Sequence, residues 1–284
     1  GWTAGQQTQG SAAVAIGVNA GLLLQAIEGI AIGHNAGTNR QGTDSVAIGT
    51  SAGQNTQGQN AVAIGNLAGQ ILQSLNSVAI GFGAGRTQQG TGAIAIGGGA
   101  GETTQGENSV AIGNNAGDTQ QGTSAIAIGA SAGAATQGSG AVAIGVDAGR
   151  LTQGTSAIAI GDQAGEAIQG QYAIAIGRAA ANENQGTDAV AIGQSAGQVS
   201  QGNSAIAIGL TAGQTRQGAN AVSVGAYAGQ NTQQTGGIAI GYQAGQNTQG
   251  TDAIAIGISA GRTNQGTFGV AIGSEAGSLN QGTS

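Results

Sequence analysis

The sequence contains no proline, cysteine, methionine or lysine, and aromatic residues make up 2% of its 284 positions. Without cysteine the chain has no disulfide bonds, no thiolate metal ligands and no cysteine nucleophile. Its six large aromatic side chains are too few to fill a conventional globular core. We therefore expect a thin interior packed with small aliphatic residues.

Charged residues are also scarce, at 6% of the chain, and the formal net charge is −6. Neither sign is clustered, and nucleic-acid binding requires a basic stripe along the phosphates, so we expect no nucleic-acid partner. No apolar run approaches the roughly 18 residues that a membrane helix needs. We expect no membrane insertion of this segment, which begins at Gly1 and is interpreted as part of a longer fibre protein.

What the sequence has instead is one unit of sixteen residues repeated along its length. Taking the glycine of the recurrent Ala-Ile-Gly as column one, this glycine recurs at every sixteenth position from Gly1 to Gly273. Column four is always alanine, column five is glycine except at Ala181, and column nine is always glutamine. Column ten is mostly glycine, and columns thirteen to sixteen usually read small residue, Val or Ile, Ala, Ile. We interpret residues 1–284 as one continuous array of about 18 coils.

These columns predict an all-β fold, a parallel β-solenoid with sixteen residues per coil. Columns thirteen to sixteen alternate β-branched with tiny residues, which is the period of a strand. We expect valine and isoleucine to fill the coil interior and alanine to face outwards. Glycine at columns one, five and ten is expected where the chain turns sharply or where backbones pass closely.

Three competing interpretations of the composition are disfavoured. A helix is disfavoured because each of the three recurrent glycines would cost about 1 kcal/mol relative to alanine. A collagen helix requires glycine at every third position and abundant proline. A disordered linker has no reason to keep a strict spacing of isoleucine and valine.

Stacking the coils in register places identical columns above one another, about 4.8 Å apart. The glutamines of column nine are then expected to form a continuous amide ladder, because stacked side-chain amides hydrogen-bond along the stack. We predict a structural role for this ladder, with ligand binding as the minor alternative. The predicted ladder consists of Gln9, Gln25, Gln41, Gln57, Gln73, Gln89, Gln105, Gln121, Gln137, Gln153, Gln169, Gln185, Gln201, Gln217, Gln233, Gln249, Gln265 and Gln281.

Two surfaces are candidates for contact with other chains. The outward alanines, with the small residues of column thirteen, are expected to form a seam between copies, or else to be isolated surface alanines. Two coils also carry apolar residues in otherwise variable columns, which we interpret as packing between neighbouring chains or as a partner-binding patch. These residues are Leu22, Leu23, Leu24, Ile27, Ile71, Leu72 and Leu75.

No combination of residues indicates catalysis, a cofactor or a metal. His34 is the one histidine, and no second histidine or cysteine can complete a zinc site. Asp44, Asp188 and Asp252 share column twelve but lie many coils apart, so they cannot form an acid–base pair. The run 97–99 is glycine, but it lacks the lysine and the strand–loop–helix context of a phosphate loop. We expect that the protein is not an enzyme.

The pattern Ser-Val-Ala-Ile-Gly, as at 45–49, 77–81 and 109–113, is followed by the alanine of column four. It is similar to the head repeats of trimeric autotransporter adhesins of the YadA-like type, and the resemblance covers the whole chain. It implies a left-handed parallel β-roll, a homotrimer around one axis and a surface fibre that adheres to a host or matrix. Those heads use a slightly shorter coil, and the longer unit, as in 52–58, also resembles the repeat arrays of viral and phage fibre proteins.

The leading functional hypothesis is a structural extracellular or virion-surface fibre, an adhesin shaft that provides rigid reach and multivalent attachment. Its partners would be copies of itself, as a trimer or an end-to-end filament, and a host-surface or matrix receptor that the sequence does not identify. An ice-binding solenoid is the second hypothesis, because threonine recurs at columns eight and eleven, as at Thr152 and Thr155. Arg40 and Ile168 interrupt that pattern. A filament-forming or sheath-forming spacer without a receptor is the third hypothesis.

Overall fold

The computed structural model describes residues 1–282, which contain strands and turns but no helix. The chain divides into two compact units, residues 1–140 and 141–284. Within each unit, strands of successive coils pair in parallel, each residue lying opposite the residue sixteen positions later, as Val78 lies opposite Ile94. Each unit is therefore a parallel β-solenoid. The predicted fold class is confirmed, with about 17 turns of roughly 16 residues.

Each coil of the first unit contributes one strand to each of two parallel sheets. The strands that end at column nine form the first sheet: β1 (Gln7–Gln9), β3 (Leu23–Gln25), β5 (Asn39–Gln41), β7 (Asn55–Gln57), β9 (Leu72–Gln73), β11 (Gln88–Gln89), β13 (Thr104–Gln105), β15 (Gln120–Gln121) and β17 (Thr136–Gln137). The strands over columns fourteen to sixteen form the second sheet: β2 (Val14–Ile16), β4 (Ile30–Ile32), β6 (Val46–Ile48), β8 (Val62–Ile64), β10 (Val78–Ile80), β12 (Ile94–Ile96), β14 (Val110–Ile112) and β16 (Ile126–Ile128).

The second unit repeats this arrangement. Its first sheet consists of β19 (Thr152–Gln153), β21 (Ile168–Gln169), β23 (Asn184–Gln185), β25 (Ser200–Gln201), β27 (Arg216–Gln217), β29 (Thr232–Gln233) and β31 (Thr248–Gln249). Its second sheet consists of β18 (Val142–Ile144), β20 (Ile158–Ile160), β22 (Ile174–Ile176), β24 (Val190–Ile192), β26 (Ile206–Ile208), β28 (Val222–Val224), β30 (Ile238–Ile240), β32 (Ile254–Ile256) and β33 (Val270–Ile272).

The coil interior is filled by alanine, serine and glutamine. Ala100 of column four, Ala95 of column fifteen and Ser109 of column thirteen are all fully buried. The glutamines of column nine, such as Gln105, are the largest fully buried side chains. Valine and isoleucine of columns fourteen and sixteen point away from this interior, and Ile96 remains 36% exposed.

The prediction that valine and isoleucine fill the coils is therefore wrong, and so is the prediction that alanine forms an outward seam. The physical reason is the width of the coil. An added Cβ on Gly165 of column five would lie 3.0 Å from the Gln169 side chain and 3.4 Å from the Ala159 Cβ. An isoleucine at column fifteen would overfill so narrow a space, whereas a methyl group fits it.

Close stacking of backbones explains the glycines at columns one and ten. Gly97 of column one has a φ of +128°, and a Cβ there would lie 2.5 Å from the Gly113 carbonyl oxygen. At column ten, a Cβ on Gly106 would lie 2.6 Å from the Gly122 carbonyl carbon. Real Cβ atoms do not approach backbone this closely, so both columns require glycine in most coils.

Two further columns of turns were not predicted from the sequence. Residues of column three have a positive φ in every coil, for example +53° at Asn115. Residues of column twelve also have a positive φ, for example +54° at Asn108. Asparagine, aspartate and serine are frequent in both columns, and asparagine and aspartate tolerate this left-handed region better than most residues. That enrichment is the signal in the sequence from which these turns could have been found.

Two adjacent glycines provide a direct test of the backbone stacking. We expect Gly97→Ala to destabilise the first unit by about 3 kcal/mol, because the new Cβ combines an unfavourable φ with a backbone clash. Gly98→Ala is the control, because its Cβ would meet only the flexible Asn114 side chain, at 3.3 Å. It should change stability by less than about 0.5 kcal/mol. Chemical unfolding measures both variants, and equal effects would contradict this explanation.

Candidate functional site

The outer surface of the second sheet in each unit is a ladder of valine and isoleucine side chains. We call the outward side chains of columns fourteen and sixteen the Val/Ile face. Its isoleucines remain exposed to solvent even in the middle of the array. Seven of them are 36–39% exposed: Ile64, Ile96, Ile112, Ile144, Ile208, Ile240 and Ile256.

The Val/Ile face is continuous from coil to coil within each unit, because the parallel register stacks identical columns. Val78 lies opposite Ile94, and Ile80 lies opposite Ile96. Column two also exposes apolar side chains in several coils: Trp2, Val18, Phe82, Val146, Leu210, Tyr242 and Ile258. Soluble monomers rarely expose contiguous apolar patches larger than a few hundred Å². The Val/Ile face is therefore the main candidate for an interaction surface.

The glutamines of the predicted ladder lie inside the coils, except that Gln9 is exposed and Gln281 is partly exposed. Gln169 Nε2 donates to the Ile158 carbonyl oxygen at 2.7 Å, to the Ala173 carbonyl oxygen at 3.2 Å and to Gln185 Oε1 at 3.2 Å. In the second unit such amide-to-amide bonds join successive coils. In the first unit the predicted continuous ladder is interrupted, because several buried Oε1 atoms have no hydrogen-bond partner within residues 1–282: those of Gln25, Gln41, Gln57, Gln89, Gln105 and Gln121. The enclosure of the ladder glutamines favours a structural role over ligand binding.

The two predicted apolar patches lie away from the Val/Ile face, on columns six to eleven of the first unit. Leu24 and Ile27 are each 52% exposed, while Leu22 and Leu23 are half-buried. Three coils later, the second patch is similarly exposed and comprises Ile71, Leu72 and Leu75. The structure does not bring the two patches together.

Column six carries a ladder of polar side chains on the surface. In the first unit, Arg86 Nη1 donates to Glu102 Oε1 at 3.1 Å, and Asp118 occupies the same column of the next coil. Partial burial, and to a smaller extent the negative charge of Glu102, raise the pKa of the Asp118 carboxyl above its ordinary value. Asp118 is therefore a mildly unfavourable member of the ladder at neutral pH.

The residues examined for chemistry in the sequence remain separate in the structure. His34 is exposed, and Asp44, Asp188 and Asp252 are exposed on different coils. Within residues 1–282, no group of three or more His, Cys, Asp or Glu side chains is placed to hold a metal ion. The same residues contain no helix with the length and apolar character needed to cross a membrane.

The buried amide ladder can be tested at one rung. We expect Gln169→Leu to destabilise the second unit by about 1–3 kcal/mol, because it removes the hydrogen bonds of the amide to the Ile158 carbonyl and to Gln185. It also removes the acceptor of the Gln153 amide. Gln171→Leu, two residues away and exposed, is the control and should cost less than about 0.5 kcal/mol. Hydrogen exchange of the amides in the flanking coils measures the loss locally. Similar protection in both variants would argue against the ladder as a stabilising element.

The surface ladder predicts a pH dependence. Because the pKa of Asp118 is raised on folding, its charged form opposes folding, and this opposition disappears as the pH falls through the raised pKa. We expect Asp118→Asn to raise the thermal unfolding midpoint at neutral pH and to have no effect below the ordinary pKa of 3.8. Asp162→Asn removes the same charge from an exposed site and serves as the control. A stabilisation that persisted unchanged at low pH would contradict the electrostatic cause.

Comparison with known proteins locates the repeat among described families. A family model of the YadA head domain repeat matches the chain twice, at residues 25–52 and 89–116. Both segments begin at a glutamine of column nine and end at an alanine of column four, so they share one register. No curated protein matches the chain. The resemblance drawn from the Ser-Val-Ala-Ile-Gly pattern is confirmed for these two segments, which are similar to the YadA head domain repeat.

Proposed function

We propose that this chain is the shaft of an adhesin-like fibre displayed on a cell or virion surface, and that its copies associate as a homotrimer through the Val/Ile face. The exposure of this face carries the proposal. The two YadA head domain repeat matches support it, and so does the solenoid fold, which repeats one coil along the chain.

The energetics favour covering the Val/Ile face. Fully burying an isoleucine contributes about 1.5–3 kcal/mol, so covering the exposed third of one side chain contributes on the order of 0.5–1 kcal/mol. Each coil offers one such isoleucine, replaced by Val224 in one coil, and a neighbouring valine or isoleucine. Summed over many coils, this gain would exceed the cost of association, which is estimated at about 4–15 kcal/mol.

The proposed mechanism of the fibre is geometric. A solenoid adds coils without changing its fold, so its length can grow while each coil contacts only its neighbours. Such a shaft holds binding sites at a distance from its anchor, and repeated copies allow weak contacts to add by avidity. A protein with this role needs no catalytic residues.

The ice-binding alternative has less support. A face that matches an ice lattice must be flat and regular, but column eight exposes Leu72 at 48% and Ile168 at 53%, and Arg216 also occupies this column. Ice binding stays a prediction from the threonine pattern. A spacer or sheath without a receptor would share the self-association proposed above, and would differ only in lacking adhesion.

Self-association is tested by the native mass of the protein in solution, from sedimentation at several concentrations. We expect three times the mass of one chain. Ile208→Asp/Ile256→Asp should reduce this to the mass of one chain, because it places charges within the covered apolar surface.

The matched control is Thr152→Asp/Thr248→Asp, which adds the same charge on exposed residues of column eight. This control should remain trimeric. A wild-type chain that stayed monomeric at every concentration, or a control that dissociated as readily as the isoleucine variant, would contradict association through the Val/Ile face.

A further inference from the structure

A groove crosses consecutive coils of the first unit on the side away from the Val/Ile face, between columns eight and eleven. It consists of two adjoining cavities, of about 250 and 360 Å³, which share Ser74 and Thr91. Gly58 and Gly90, with Ser74 between them, contribute column ten to its lining. Volumes of this size suit small-molecule sites, which span about 300–1,000 Å³.

The groove lies where the coil changes its backbone conformation. At column eight, φ is positive in the first four coils, ending with +60° at Thr56, and Leu72 of the next coil no longer has this conformation. At the same step the strand shortens from three residues in β7 to two in β9. These two strands pair only through Gln57 and Gln73. The groove therefore lies at a step in the backbone of column eight. The positive φ returns at this column in Asn264 and Asn280 of the second unit.

One end of the groove is apolar. Leu72 and Leu75 line the first cavity, and both side chains are about half exposed, at 48% and 49%. Leucine side chains in this position, on the two sides of Ser74, present hydrocarbon surface to a ligand lying over column ten. They favour a ligand that has an apolar face of its own.

The other end of the groove is polar but carries little charge. Gln88, Thr104 and Thr123 contribute amide and hydroxyl groups to the second cavity, and Glu107 contributes one carboxylate. No arginine lines either cavity, so the groove offers no cation to an anionic ligand. Hydroxyl, amide and carboxylate groups suit a neutral ligand that is rich in hydroxyl groups.

Spacing distinguishes a sugar chain from a peptide. Successive coils lie about 4.8 Å apart, whereas an extended peptide advances only about 3.3 Å per residue. The residues of a peptide laid along the groove would therefore not stay aligned with the side chains of successive coils. The pyranose rings of an extended sugar chain advance by nearly one coil spacing each, and they combine apolar C–H faces with hydroxyl edges.

We propose that this groove binds a neutral oligosaccharide, with pyranose C–H faces against Leu72 and Leu75 and hydroxyl groups hydrogen-bonded to Thr104 and Glu107. This inference adds a ligand class to the proposed adhesive role, on which it rests for its biological context. The site uses a different surface from the Val/Ile face, so saccharide binding and self-association are separable.

The test is calorimetric titration of the whole chain with three neutral probes: cellohexaose, chitohexaose and maltohexaose. We expect at least one to bind with a dissociation constant on the order of 1 mM or tighter. Leu72→Ser/Leu75→Ser should weaken this binding by about tenfold. Glu107→Gln, an exposed change that leaves the coil interior untouched, should weaken it by about threefold.

The matched control is Leu24→Ser/Ile27→Ser, which makes a comparable change in the same two columns three coils earlier, at equally exposed positions. It should leave binding within about twofold of the wild type. Failure of all three probes to bind at millimolar concentration would overturn the proposal, as would equal loss in the control or tighter binding of a heparin hexasaccharide. A trimer that formed normally while no saccharide bound would reject this site and leave the proposed fibre intact.

Discussion

Between the two sheets of each coil there is room for methyl groups and for one flat amide side chain. The column-five glycines have no space for a Cβ, because the side chain of column nine lies against them: a Cβ on Gly101 would lie 2.9 Å from the Gln105 side chain. Alanine is consequently the interior residue of columns four and fifteen. Large aliphatic side chains must then point outwards, which leaves on the surface the apolar area that most proteins bury.

The narrow interior also explains why glutamine lies inside. A buried amide needs acceptors for its N–H groups, and backbone carbonyls of columns thirteen and fourteen supply them. The amide of Gln201 donates to carbonyl oxygens of two neighbouring coils and to Gln217. One side chain per coil therefore meets several hydrogen-bonding needs and fixes the register between coils. A hydrophobic residue of the same size would fill the space without supplying the donor.

The sequence was sufficient for the period, the strands and the stacking, because these depend on spacing alone. It was misleading about which face lies inside, since hydrophobicity places isoleucine in a core whereas the size of the interior excludes it. Column four is alanine in every coil, and its alanines from Ala20 to Ala260 are buried. A column that never holds a larger residue was the sign in the sequence that the interior is narrow. The groove near Leu72 could not be predicted, because the change of backbone conformation at Thr56 has no counterpart in the repeat pattern.

The whole structure depends on the orientation of the strand over columns fourteen to sixteen, with alanine inside and isoleucine outside, and thiol labelling measures this orientation. The chain has no cysteine, so a single cysteine can be placed at Ala159 or at Ile160 without competing thiols. The measurement is best made in the Ile208→Asp/Ile256→Asp background, where copies are kept apart. We expect rapid labelling of Ile160→Cys and labelling of Ala159→Cys only on unfolding. Rapid labelling at 159 with protection at 160 would contradict this orientation.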